Sequence, residues 1–136
     1  MKLLMIFADH FAWNPQIKSL KSAADVRNGN SVDNVIVAFI HAEAEDEERE
    51  KSVITKLAKN LKWLSKKLDT KKIVLHSFAH LSNSKASPKF VQKVFEDTEK
   101  RLRKVGFEVW QTPFGYFVDL DLTAPGMSLA RVFKDI

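Results

Sequence analysis

At 136 residues, 45% of them hydrophobic and 29% charged, the chain has the length of one domain with a real core and not of two. The absence of cysteine excludes disulfides, thiolate metal sites and a cysteine nucleophile, and no apolar run reaches the roughly 18 residues of a membrane span. The net charge of +5 is lopsided: residues 1–50 hold 5 basic and 9 acidic side chains and residues 51–136 hold 17 and 8, which suits a partner carrying phosphates, such as RNA, as well as a plain lysine-rich wet surface.

Residues 3–8 form a continuous apolar run and predict a buried strand rather than a signal peptide, for which the segment is too short and lacks a small-residue cleavage site. Residues 9–33 carry no regular pattern, and Asn14-Pro15 and Asn28-Gly29-Asn30 read as turns. A second apolar strand spans 35–42. The acidic stretch 43–50 leads into a helix whose Val53, Ile54, Leu57, Leu61, Leu64 and Leu68 form one apolar stripe, with lysines crowding its end as the helix dipole prefers. Residues 73–76 predict a third strand that delivers the chain to a first loop, Ser77-Phe78-Ala79-His80-Leu81-Ser82. Ser87-Pro88 reads as an N-cap followed by proline at the first helical position. Phe90, Val91, Val94, Phe95, Leu102 and Val105 line that helix, and Gly106 is placed to close it in a left-handed conformation. Residues 107–111 predict a strand, Thr112-Pro113-Phe114-Gly115-Tyr116-Phe117 a second loop, and 116–122 another strand. Residues 127–133 suit either a strand or a short helix. The alternation of elements points to one α/β or α+β domain.

Each loop sets a turn and aromatic side chains at a strand end, where main-chain N–H groups lose their ladder partners and become free to hold a small carbonyl compound. His76 and His80 have the spacing of a metal pair, but they straddle a strand end and a loop with no supporting cysteine or paired carboxylate, so no metal is expected. Asp119 and Asp121 alternate on a strand whose other face, Val118, Leu120 and Leu122, is read as the core side, which sends the carboxylates to solvent. No nucleophile elbow, phosphate-binding loop or dinucleotide fingerprint is present. Lys85, Lys89 and Lys93 form a basic edge near the first loop, suited to phosphates or simply to water.

The run Val74-Leu75-His76-Ser77-Phe78-Ala79-His80-Leu81-Ser82, with Pro88 downstream, resembles the first signature of the archaeal threonyl-tRNA synthetase editing domain. Pro113-Phe114-Gly115-Tyr116 is similar to its second signature and Gly126-x-x-Leu129-Ala130 to its third. The opening strand, then Val37-Ala38-Phe39-Ile40 and Glu43, falls in the same order and spacing, so the likeness covers essentially the whole chain.

The resemblance implies the α/β fold of D-aminoacyl-tRNA deacylases, a twisted, barrel-like sheet with two main amphipathic helices, usually as a homodimer. It implies a single editing domain over 1–136, the N-terminal part of a longer cytoplasmic synthetase whose catalytic module acts in the same chain or in trans. The implied reaction is hydrolysis of seryl-tRNA(Thr) without a cofactor; related domains also cleave D-aminoacyl-tRNA. A threonine pocket rejects a side chain one methyl smaller by only about 1–3 kcal/mol, so a second site must remove the error.

Carried onto this chain, the resemblance assigns catalytic positions to His80, Phe114, Gly115, Tyr116, Phe117 and Val118. It lines the substrate pocket with Ala42, Glu43, Ser77, Phe78, Ala79, His80, Pro113, Phe114 and Gly115, largely through main-chain groups. Pro88, Val91, Leu129, Ala130, Arg131, Lys85 and Lys89 would meet the terminal adenosine and the tRNA end. The family commonly has Lys where Val118 stands, Glu where Arg131 stands, Tyr for Phe117 and Pro for Ser77. Val118 is expected to make the pocket more apolar and to weaken discrimination between serine and threonine. A larger residue at Gly115 is expected to fill the substrate's space.

Overall fold

The computed structural model describes residues 1–136, and its spine is β1 (Lys2–Lys18), a strand long enough to serve two different neighbours. With β2 (Asn30–His41), β3 (Lys72–Ser77), β4 (Glu108–Gln111), β5 (Tyr116–Thr123) and β6 (Arg131–Asp135) it makes one open sheet in the order β4-β3-β2-β1-β5, with β6 also beside β1. Lys2–Ile6 of β1 pair with β6, and His10–Lys18 pair with β5. The β1 contacts are antiparallel, while β2, β3 and β4 are parallel to one another.

Parallel neighbours need crossovers, and α1 (Glu50–Leu68) and α2 (Pro88–Lys104) supply them on one face. A short 3-10 helix, Ala44–Arg49, takes up the acidic stretch before α1. The stripe Val53, Ile54, Leu57, Leu61 and Leu64 is buried, and Asp69 closes α1 at φ +52. Ser87 Oγ accepts from the Phe90 N–H at 3.3 Å at the start of α2, and Gly106 follows its end at φ +91.

Residues 9–33 depart from expectation. Asn14-Pro15 is not a turn: Phe11, Trp13 and Pro15 are buried while Asn14 and Gln16 are exposed, the alternation of a strand. A register shift between Pro15 and Ile17 accommodates the proline, which cannot donate to the ladder. The final segment takes both predicted forms, a 3-10 turn Ser128–Ala130 followed by β6. In β5 the core side is weaker than its apolar residues suggest. Leu120 is 41% exposed and Val118 and Leu122 only half-buried, because β5 is an edge strand that no helix covers.

Two apolar clusters flank the sheet. Under the helices lie Leu3, Met5, Ile36, Ala38, Ile40, Ile73 and Leu75 with the helix stripes. On the other face lie Ala8, Phe11, Trp13, Val35, Val37, Phe39 and Val74. The sheet must coil around this second cluster. Four strand spacings would set β4 and β5 about 19 Å apart in a flat sheet, yet the five steps from Gln111 to Tyr116 reach at most about 18 Å fully extended. The coil carries the second loop back across the ends of β3, β2 and β1.

Candidate active site

Because β3 and β4 are parallel, their C-terminal ends open on the same edge of the sheet, where ligands usually bind in such folds. The two loops leave from these ends. With the ends of β1 and β2 and the start of α2 they enclose a cleft of about 480 Å³. That lies within the ~300–1,000 Å³ of small-molecule sites.

Main-chain bonds stitch the loops to the sheet. The Phe78 N–H donates to Ile40 O at 3.0 Å, and the Ala86 N–H to Ala42 O at 3.0 Å. The Thr112 N–H donates to Leu75 O at 3.1 Å, and its hydroxyl shares a 2.8 Å hydrogen bond with His76 Nδ1. His76 is buried edge-on to Phe39 with centroids 5.2 Å apart. Burial, and next the nearby His80, push its pKa down to about 4, so the ring is neutral near pH 7. Gly115 O accepts from the Ser19 N–H at 2.7 Å and the Leu20 N–H at 3.2 Å, which pins the second loop to the end of β1. Among the cleft-lining loop residues, the N–H groups of Ala79, Phe114 and Gly115 donate to no protein acceptor.

Of the residues singled out in the sequence, Ala42, Ser77, Ala79, His80, Lys85, Pro88, Val91, Pro113, Phe114, Gly115, Tyr116 and Phe117 line the cleft. Glu43 sits behind the wall, its Oε2 accepting from Ser82 Oγ at 2.7 Å and its Oε1 3.0 Å from the Met1 α-ammonium. Burial opposes its charge, but the Ser82 bond, the ammonium and Lys2 prevail and hold its pKa at about 2. Phe78 packs edge-on to Phe39 at 5.2 Å and to His80 at 4.8 Å.

Val118, Lys89, Leu129, Ala130 and Arg131 stay off the wall. Val118 lies opposite Pro15 on the edge strand, so it does not make the cleft more apolar as expected. Ala130 is buried, Leu129 packs against the core beneath the helices, and Arg131 Nη1 donates to Pro125 O at 2.9 Å. The expectation for Gly115 also changes. Its φ is +81, and a Cβ there would come within 2.8 Å of Ala23 Cβ and 3.2 Å of Leu20 Cβ, so a side chain would strike residues 20–23.

The cleft also contains Ser19, Leu20, Ile40, His41, His76, Ala86 and Thr112, which the sequence reading did not assign to it. Ile40 and His41 were within reach of that reading, since they directly precede Ala42 and Glu43. Two further hollows, of about 420 and 410 Å³, lie around Asp69, Thr70 and Lys71, where β3 begins and away from both loops.

Fold and cleft together define a mixed α/β domain, an open six-stranded sheet with two helices on one face and a loop-built cleft at the ends of its parallel strands. A solved structure of the c-Myc DNA Unwinding Element Binding Protein matches it with a TM-score of 0.67 at 10% identity, covering 100% of this chain and 99% of that one, a likeness of fold alone. Over residues 1–136 the sequence matches the archaea-specific editing domain of threonyl-tRNA synthetase, and the chain belongs to that family. It is 32% identical to the threonine–tRNA ligase of Methanosphaera stadtmanae and 30% identical to that of Thermococcus gammatolerans, in each case over 100% of this chain. The chain spans 22% of the length of these relatives. No helix is long and apolar enough to cross a membrane.

Proposed function

We propose that this domain proofreads tRNA(Thr) by hydrolysing the ester that links misattached serine to it, as part of a longer synthetase that charges the same tRNA. The reading is carried by the convergence of the two loops on one cleft with the unengaged N–H groups of Ala79, Phe114 and Gly115. Water attacks the ester carbonyl, the bond to the ribose 3′ oxygen breaks, and serine leaves as the free acid while the 3′-OH is restored. Main-chain donors suit the oxyanion that develops in between. Val118 and Arg131 offer no acid–base pair to the cleft, so the neighbouring 2′-OH of the terminal ribose helps activate the water. His80 contacts the serine side chain or its surroundings. Pro88 and Val91 meet the adenosine, and Lys85 with Lys89 the phosphates.

Incubating the domain with Ser-tRNA(Thr) and Thr-tRNA(Thr) tests this. Loss of serine well above the buffer rate is expected, with threonine spared. Val118 and Arg131 favour one rival, a non-catalytic module that grips the acceptor end, which would bind tRNA and leave both esters to decay equally. A free-standing D-aminoacyl-tRNA deacylase would prefer a D-aminoacyl ester in the same assay. Pairing of two copies is also proposed, supported by exposed Ile17, Phe117, Leu120 and Phe133 on β1, β5 and β6; sedimentation at the monomer mass would reject it.

A further inference from the structure

His41 ends β2, is 1% exposed, and has both ring nitrogens on the main chain of the first loop. The Leu81 N–H donates to Nδ1 at 2.9 Å. Nδ1 therefore carries a lone pair and the proton sits on Nε2, which donates to Ser84 O at 2.6 Å. One ring thus holds both ends of the turn that follows Ala79 and His80. The other ties of this turn run through the hydroxyls of Ser82 and Ser84: Ser82 Oγ donates to Glu43 Oε2 at 2.7 Å and accepts from the Ser84 N–H at 3.2 Å, while Ser84 Oγ accepts from the Ala44 N–H at 2.9 Å and donates to Glu45 Oε2 at 3.3 Å; none of them reaches the Leu81 N–H, which only His41 engages.

We infer that His41 is a positioning residue of the cleft, whose ring, through its two bonds to the main chain, holds the first loop's main-chain donors opposite the second loop. The inference rests on the hydrolytic reading above and adds to it a residue that acts through the loop rather than on the ester. A displacement of about 1 Å in donors that face a reacting carbonyl costs on the order of 100-fold in rate.

The experiment compares the wild-type chain with His41→Ala and His41→Asn. Asparagine offers its Oδ1 as an acceptor near the place of Nδ1. Amide exchange at Leu81 is followed by NMR, and deacylation of Ser-tRNA(Thr) by steady-state kinetics. His41→Ala is expected to speed Leu81 exchange at least 30-fold and to lower kcat at least 10-fold with KM changed less than 3-fold. His41→Asn is expected to restore most Leu81 protection and most of kcat. Unchanged Leu81 exchange in His41→Ala, or a kcat that stays low in His41→Asn once Leu81 protection has returned, overturns the inference. Should the wild type fail to deacylate any substrate, the hydrolytic reading falls, while Leu81 exchange in His41→Ala against the wild type still decides whether the ring holds the turn.

Discussion

His76 Nδ1 and Thr112 Oγ1 lie 2.8 Å apart across 36 residues of sequence, and their hydrogen bond ties the strand that feeds the first loop to the first residue of the second. Both groups are buried. Thr112→Val keeps the shape and removes the hydroxyl, leaving a ring nitrogen without its partner at a cost of about 1–3 kcal/mol. Urea unfolding measures that loss. Thr112→Ser keeps the bond and is expected to recover most of it; a Thr112→Val chain as stable as the wild type would mean that the hydrogen bond contributes nothing.

Stability is expected to fall in two acid windows. The folded chain holds His76 at about 4 against an ordinary 6.5, so between these values the unfolded state binds the extra proton. Its contribution is full above pH 6.5 and is lost as pH falls towards 4. Glu43, held at about 2 against 4.5, contributes fully above 4.5 and loses that contribution on the way to 2. Denaturation series at several pH values should show His76→Phe flattening the upper window and Glu43→Gln the lower. A slope between 6.5 and 4 that survives His76→Phe contradicts the assignment.

Gly115→Ala is expected to cost about 1–3 kcal/mol for a non-glycine residue at φ +81, before its Cβ meets Ala23. The Ser19 and Leu20 bonds to Gly115 O must then shift, and deacylation should drop at least tenfold. Activity within twofold of wild type would show that the second loop tolerates movement.

Lys85 lines the cleft, whereas Lys89 stays off its wall and Lys93 is held by Asp97 at 2.8 Å. Lys85→Ala should therefore weaken tRNA binding more than Lys93→Ala does, and should reduce the slope of log affinity against log salt by about 1. Titrations at several salt concentrations check this. Equal slopes for the wild type and Lys85→Ala would remove Lys85 from the phosphate contacts.

The elements that a single sequence made plain are those with a local cause. The α1 stripe, the Ser87-Pro88 start and the Gly106 end each follow from side-chain spacing or a backbone preference within a few residues. The two loops were conspicuous for the same reason, as aromatic turns at strand ends. What stayed hidden depends on distant partners. Asn14-Pro15 reads as a turn until β5 and the bulge at Pro15 are known to hold it extended. His41 and Thr112 look ordinary until a parallel sheet puts the ends of β2, β3 and β4 side by side. The place of Val118 opposite Pro15 on an edge strand depends on pairing that no local pattern encodes.

His80 is exposed on the first loop and touches Phe78 with its ring edge, a place from which it can contact a substrate but from which no relay of partners extends. On the proposed reading, main-chain donors and the RNA's own hydroxyl carry the hydrolysis. The most direct test charges serine at the 3′ oxygen of tRNA(Thr) ending in 2′-deoxyadenosine and compares its single-turnover cleavage with that of ordinary Ser-tRNA(Thr) by His80→Ala. Loss of the 2′-OH is predicted to slow cleavage on the order of 100-fold or more, the scale of a lost proton-transfer partner, and His80→Ala less than 10-fold. The reverse order, with the deoxy substrate cleaved at nearly the normal rate and the His80→Ala chain inactive, would contradict it.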